Sequence, residues 1–110
     1  MNIEEIREYC MSKPETTEGF PFGEDTIVFK VNGKMFALAN LEGETRLNLK
    51  CDPERALAYR EAFESVIPGY HMNKKHWNTI IMDRSIPNNL IKELIDHSYY
   101  LVRPGKSGVR

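Results

Sequence analysis

The stretch Asn73-Lys74-Lys75-His76-Trp77-Asn78 gathers side chains suited to holding a polyanion. Lysines donate to phosphates, a tryptophan can stack on a base, and asparagines bridge sugar or base edges. Arg46 and Lys50 add two cations on a predicted strand, flanking Asn48. Arg46, Lys50, Asn73, Lys74, Lys75, His76, Trp77 and Asn78 are therefore the candidate nucleic-acid contacts. A solvated turn anchored by Trp77 is the competing account, because two lysines alone leave a thin electrostatic footprint.

Other chemistries find less support. His71 and His76 lie five apart, while His97, Cys10 and Cys51 are distant in sequence. Without C-x-x-C, H-E-x-x-H or an acidic calcium loop, no metal site is expected. Cys51 sits between Lys50 and Asp52 at a helix start, which could lower a thiol pKa. A small residue buried at a strand–helix junction explains it more simply. Gly19 and Gly23 match neither common phosphate-binding glycine pattern, and Glu42 and Glu44 flank a turn glycine where solvated acids are ordinary. No catalytic residue and no cofactor is predicted, so the expectation is a protein that is not an enzyme.

The elements that must position these residues follow from periodicity and punctuation. Ile3, Ile6 and Cys10 recur at helical spacing, with Asn2 and Glu5 as a capping box and Pro14 as a stop. Glu15–Asp25 reads as a loop pinned to the core by Phe20 and Phe22. Thr26–Val31 and Lys34–Asn40 flank Asn32-Gly33, a dipeptide suited to a type I′ hairpin turn. A regular ladder would pair Val31 with Lys34, Phe29 with Phe36 and Ile27 with Leu38, putting Ile27, Phe29, Val31, Phe36 and Leu38 on one apolar face. Thr45–Lys50 forms a third strand, with Leu47 and Leu49 on one side and Arg46, Asn48 and Lys50 on the other. Asp52-Pro53 opens a second helix that buries Ala56, Leu57, Tyr59 and Phe63. Strands are predicted at Tyr70–Met72 and Trp77–Met82. A final helix after Pro87 presents Leu90, Ile91, Leu94, Ile95 and Leu101.

The predicted class is α+β: two layers, a five-stranded antiparallel sheet with helices on one face, in the order α-β-β-β-α-β-β-α. At 110 residues the chain makes one domain, 1–110, ending in a short basic tail, 103–110, that carries Arg103, Lys106 and Arg110. Hydrophobic residues at 41% and charged residues at 28% are ordinary for a folded domain and exclude a disordered or collagen-like chain. The formal net charge of −1 names no partner, although residues 1–25 concentrate seven acids against two bases. Met1–Met11 reads as neither a signal nor a transit peptide, and no run reaches membrane-spanning length. Two unpaired cysteines then point to a cytoplasmic location.

The segments KVNGKMFALANLEG, LNLKCDPERA, IPGYHMNKKHWNTIIMD and LIDHSYYLV together resemble the MmcQ/YjbR family of small bacterial proteins. The resemblance runs from about Glu4 to Val102 and is most specific from Pro68 to Thr79. It implies a secretion-chaperone-like fold and a "double-wing" DNA-binding role, with no catalytic residues. The positions matching the family's most recognisable motif are Asn73, Lys74, His76, Trp77 and Thr79. The leading expectation is thus a DNA-binding or regulatory protein contacting phosphates through Lys74, Lys75, Lys50, Arg46 and the tail. Trp77 and Asn78 would supply any base or sugar contact. Two rivals stand beside it: a protein- or peptide-binding module using a sheet edge or apolar groove, and a small-molecule site under the Phe20–Phe22 loop.

Overall fold

A computed structural model describes residues 1–70 and 72–104. Helix α1 (Ile3–Met11) leads into strands β1 (Thr16–Gly19), β2 (Thr26–Val31), β3 (Lys34–Asn40) and β4 (Arg46–Lys50). Helix α2 (Pro53–Ala62), strands β5 (Val66–Pro68) and β6 (Trp77–Ile81), and helix α3 (Asn88–Val102) complete the fold. The class is α+β as expected, but the antiparallel sheet has six strands, in the order β1-β2-β3-β4-β6-β5.

The additional strand is β1, which the sequence reading placed in a loop. Its residues, Thr-Thr-Glu-Gly, carry no apolar side chain and hence no alternation to detect. It is an edge strand, fastened to α1 where Arg7 makes a two-pronged contact with Glu18, both bonds 2.6 Å. The strand expected at Tyr70–Met72 forms instead at Val66–Pro68, because α2 ends early and Phe63 turns the chain into extended conformation. His71, inside that expected strand, lies outside the described residues, as does the tail beyond Pro104.

Caps behave as their chemistry dictates. Asn2 Oδ1 accepts from the Glu5 backbone N–H, Glu5 Oε1 accepts from that of Asn2, and Asp52 accepts from the Arg55 N–H with Pro53 opening α2. The Asn32-Gly33 turn takes positive φ at both residues, 49° and 81°. The hairpin register holds for Val31–Lys34 and then departs from the regular ladder. Phe29 pairs with Ala37, Val28 with Leu38 and Ile27 with Ala39, leaving Phe36 as an extra residue on β3. This bulge turns both Phe36 and Ala37 toward the helices and Leu38 away from them.

Ser98 repairs the bulge. A regular β3–β4 ladder would let the Lys50 N–H bond the Phe36 carbonyl. Here the Lys50 N–H donates to Ser98 Oγ at 2.9 Å, and that hydroxyl donates to the Phe36 carbonyl. Ser98 is fully buried, so both backbone groups depend on it.

The core lies between one sheet face and the helices. Ile27, Phe29, Val31, Leu47, Leu49 and Ile80 meet Ile6 and Cys10 of α1 and Ile91, Leu94 and Ile95 of α3. The phenyl ring of Phe36 stands edge-on to Tyr99 at 5.3 Å. From α2, only Ala56 is fully buried; Leu57, expected inside, is 58% exposed because its turn of the helix faces away from the sheet. No described helix lies over the sheet's other face.

Candidate functional site

On the uncovered face a single row of side chains crosses the sheet. By register, Val28 of β2 neighbours Leu38 of β3, Leu38 neighbours Asn48 of β4, and Asn48 neighbours Thr79 of β6, with Ile67 of β5 beyond. Val28, Leu38, Asn48 and Thr79 are buried despite lacking a helix above them. Two connecting segments flank them. The β1–β2 loop carries Phe22 on one side, and the β5–β6 connection carries Tyr70 and Met72 on the other. Between them runs a groove of about 630 Å³, lined also by Thr26, Asn40, Glu44 and Arg46. Phe20 and Phe22, expected to plug into the core, are 49% and 65% exposed. β1 takes up the chain before them, so the loop leaves the sheet edge on the uncovered side.

The groove floor is polar and tightly specified. The Tyr70 backbone N–H donates to Thr79 Oγ1 at 3.1 Å, and the Thr79 hydroxyl donates to Asn48 Oδ1 at 2.5 Å. That relay orients the Asn48 amide: its oxygen faces Thr79, and its NH2 group, Nδ2, makes no hydrogen bond among the described residues. Asn40 is fully used, its Nδ2 donating to the Glu42 and Glu44 carbonyls and its Oδ1 accepting from the Arg46 N–H. It fixes the β3–β4 turn and so aims Arg46 along the rim. The Arg46 guanidinium has no ion pair or hydrogen bond among the described residues.

The candidate nucleic-acid residues divide into those that hold the fold together and those that remain available. Asn73 Oδ1 accepts the Lys75 and His76 N–H groups, closing the turn. Lys74 Nζ donates to the Gly69 carbonyl at 3.0 Å. Trp77 is 8% exposed, and Gly69 packs so close that a Cβ added there would lie 2.8 Å from the Trp77 Cβ. Asn78 turns to the helix side and is 4% exposed. Its Oδ1 accepts from Arg60 Nε at 2.6 Å while its Nδ2 donates to the Ala56 carbonyl. Arg60 also donates to the Lys74 and Trp77 carbonyls, clamping the connection to α2. Lys75 remains exposed and His76 and Lys50 half-buried, Lys50 sitting opposite Trp77. Arg46 lies four residues along β4 from Lys50, roughly 14 Å at strand rise. The fold thus brings Lys50, Lys74, Lys75 and Trp77 to one end of the uncovered face and leaves Arg46 at the other.

That face is electrically lopsided. Lys30 joins Lys50 and Lys75 at the Trp77 end, whereas Asp25, Glu42 and Glu44 gather near Arg46. The Asp25 carboxylate, by hydrogen bond and by charge, raises the Glu42 pKa above the usual range. Burial pushes the Cys10 thiol up to about 12 and raises that of Cys51, so the helix start does not activate Cys51. His97 Nε2 accepts the Asp52 N–H at 3.1 Å, and burial together with the nearby Arg55 charge lowers its pKa. Among the described residues no three His, Cys, Asp or Glu side chains cluster as metal ligands. No described helix is long and apolar enough to cross a membrane.

Leu38, Tyr70 and Met72 escaped the sequence-based sites; Phe22 entered only through the rival site under the Phe20–Phe22 loop, and Asn48 only as the polar neighbour of Arg46 and Lys50. One signal was present: Val28, Met35, Ala37 and Ala39 make the supposedly outer face of the hairpin nearly as apolar as the inner one. A hairpin apolar on both sides has residues to shelter on each of its faces.

A model of the YjbR family matches residues 11–101. The chain belongs to the YjbR family. Among YjbR relatives it is 42% identical over 87 residues to the uncharacterized protein YbdF of Escherichia coli O157:H7, spanning 78% of this chain and 71% of that one. It is 35% identical over 100 residues to the uncharacterized protein YjbR of Escherichia coli K12, spanning 90% and 85%. The crystal structure of Deinococcus radiodurans protein DR2400 superposes with a TM-score of 0.88 at 42% identity, over 92% of this chain and 78% of that one. A Pseudomonas syringae crystal structure gives 0.83 at 29% identity, over 94% and 100%. The YjbR fold is thereby matched over nearly the full length of the chain.

Proposed function

We propose that this YjbR-family protein is a non-enzymatic binding protein of the cytoplasm that takes a compact ligand on its uncovered sheet face. The observation that carries the reading is the groove of about 630 Å³ over a buried floor that no described helix covers. Its size falls in the range of ligand sites, roughly 300–1,000 Å³, and it combines apolar walls with a few convergent polar groups. Those polar groups are amides, hydroxyls, one guanidinium and one carboxylate among the described residues, a set suited to holding a molecule. Both cysteines are free and buried, which suits a reducing compartment.

The test is amide NMR of the 15N-labelled protein titrated with a fragment library. Shift changes clustering on Phe22, Leu38, Asn48, Tyr70 and Thr79 would support the reading. A library whose hits all map elsewhere, or that yields none, would sink it.

Nucleic-acid binding is a second reading, favoured by one observation: Lys50 and Lys75 make no ion pair among the described residues, and register brings Lys30 to the same end. The geometry narrows that reading to phosphate contacts, since Trp77 and Asn78 are enclosed by the fold.

A further inference from the structure

We infer that the groove is built for a small monocarboxylate with an aromatic or branched apolar body, its carboxylate held by Arg46 and Asn48. This rests on the groove reading above and adds the ligand's chemical class.

Three features carry it. First, the polar groups of the groove sort by what they have left to give. Asn40 spends its whole amide on the β3–β4 turn, and Thr79 spends its hydroxyl on the relay from Tyr70 to Asn48. On β4, Asn48 Nδ2 and the Arg46 guanidinium remain as donors, with the Thr26 hydroxyl and the Glu44 carboxylate elsewhere on the lining. The two β4 donors project from the same face two residues apart, about 7 Å along the strand, within reach of one two-oxygen acceptor. The amide is held in place beforehand by the relay, so little ordering is lost when it donates.

Second, the walls are apolar and soft. Phe22 and Tyr70, 65% and 62% exposed, stand on opposite sides with Met72 beside Tyr70 and Leu38 beneath. Aromatic and thioether groups pack readily on a planar or branched apolar body, and covering them would remove exposed aromatic surface from water.

Third, the charge around the rim limits the anion. Glu44 lines the groove, with Asp25 and Glu42 close by. A single negative charge can sit on Arg46 beside them, whereas a phosphate dianion meets stronger repulsion. The same carboxylates leave a place for an amino group on the ligand, without requiring one.

The experiment uses the full chain, 15N-labelled, and four probes: 3-phenylpropionate, its neutral isostere 3-phenylpropionamide, phenyl phosphate and inorganic phosphate. The inference expects saturable shifts of the Asn48 side-chain NH2 and the Arg46 Nε–H with 3-phenylpropionate. The amide and phenyl phosphate should each bind about tenfold more weakly, the scale of one charge-assisted hydrogen bond. Arg46→Gln should bring the acid down to the affinity of the amide. Asn48→Asp, which keeps the acceptor for Thr79 but replaces the donor with a charge, should abolish acid binding and leave amide binding within a few-fold. Equal affinities for acid and amide would overturn the carboxylate assignment and leave the groove reading standing. Tighter binding of phenyl or inorganic phosphate would overturn it in favour of a phosphate site. Absence of groove shifts with either phenylpropyl compound would remove both the assignment and the groove reading.

Discussion

Thr79 gives its hydroxyl proton to Asn48 across the centre of the uncovered sheet face, at 2.5 Å, while accepting the Tyr70 backbone N–H. A fully buried threonine thereby couples a wall of the groove to its floor. Thr79→Val keeps the shape and deletes the relay, taking from the buried Asn48 Oδ1 its Thr79 donor. A buried acceptor left without its donor costs about 1–3 kcal/mol, so urea unfolding should show a loss of that order. The Asn48 side-chain NMR signals should also broaden or move, because nothing then selects the amide's orientation. An unchanged midpoint with unchanged Asn48 signals would contradict the relay.

Ser98→Ala strands the Lys50 N–H and the Phe36 carbonyl together. Here too a loss of about 1–3 kcal/mol is expected by chemical denaturation, with little change in the denaturant slope. Hydrogen exchange gives a sharper check. The Lys50 amide should lose protection in the variant while amides in the β2–β3 ladder near Val28 keep theirs. Equal effects at both places would mean general loosening and not a broken local bridge.

The lowered pKa of His97 has a definite consequence for acid stability. The folded protein favours neutral imidazole, whereas the unfolded chain takes up a proton near the ordinary value of 6.5. The contribution of His97 is therefore complete above that value and is lost as pH falls through it toward the depressed folded pKa. His97→Gln, which can still accept the Asp52 N–H, should flatten the stability profile as pH falls below about 6.5. Asp83 acts at lower pH. The Ser65 and Ser85 hydroxyls hold its carboxyl down to about 2, so its contribution starts to fall below the usual 3.8. A profile identical in wild type and His97→Gln would remove the imidazole from this account.

For nucleic acid, anisotropy of labelled single-stranded and duplex DNA decides between phosphate contact and none. If the Trp77 end of the face binds, affinity should fall by roughly tenfold or more per threefold rise in salt when three phosphates are engaged. Lys50→Glu with Lys75→Glu should then remove it, while Arg46→Gln should have a smaller effect. Saturable binding insensitive to salt, or equal sensitivity to Arg46 and Lys75, would count against this arrangement.

Much of the architecture was legible because local chemistry and global fold agree. The Asn2–Glu5 capping box, Asp52-Pro53 and Asn32-Gly33 each form as their types dictate. What was illegible has physical causes. Thr16–Gly19 contains no apolar residue, so an edge strand held by Arg7–Glu18 and one neighbour leaves no periodic trace. The Phe36 bulge shifts a register that alternation alone would keep regular. At the site, Asn73, Trp77 and Asn78 looked like ligand contacts because composition cannot tell a turn-closing amide from a free one. Asn48 and Thr79 become visible as a pair only when β4 and β6 are neighbours, a long-range pairing that neither segment announces.

The extra residue in β3 decides more than a local kink. Side chains on a strand follow a parity, odd to one side and even to the other. Phe36 changes that parity midway through β3. Were Phe36 kept but paired regularly with Phe29, Leu38 would join the core and Ala37 and Ala39 would floor the groove, leaving shallow methyl groups where an isobutyl side chain now stands. Deleting Phe36 would instead close the bulge with Phe29–Ala37 and Val28–Leu38 still paired, so it would empty the inner layer and leave Leu38 on the groove floor. The bulge, more than the residue count, assigns the side chains of β3 after Met35 to one surface or the other.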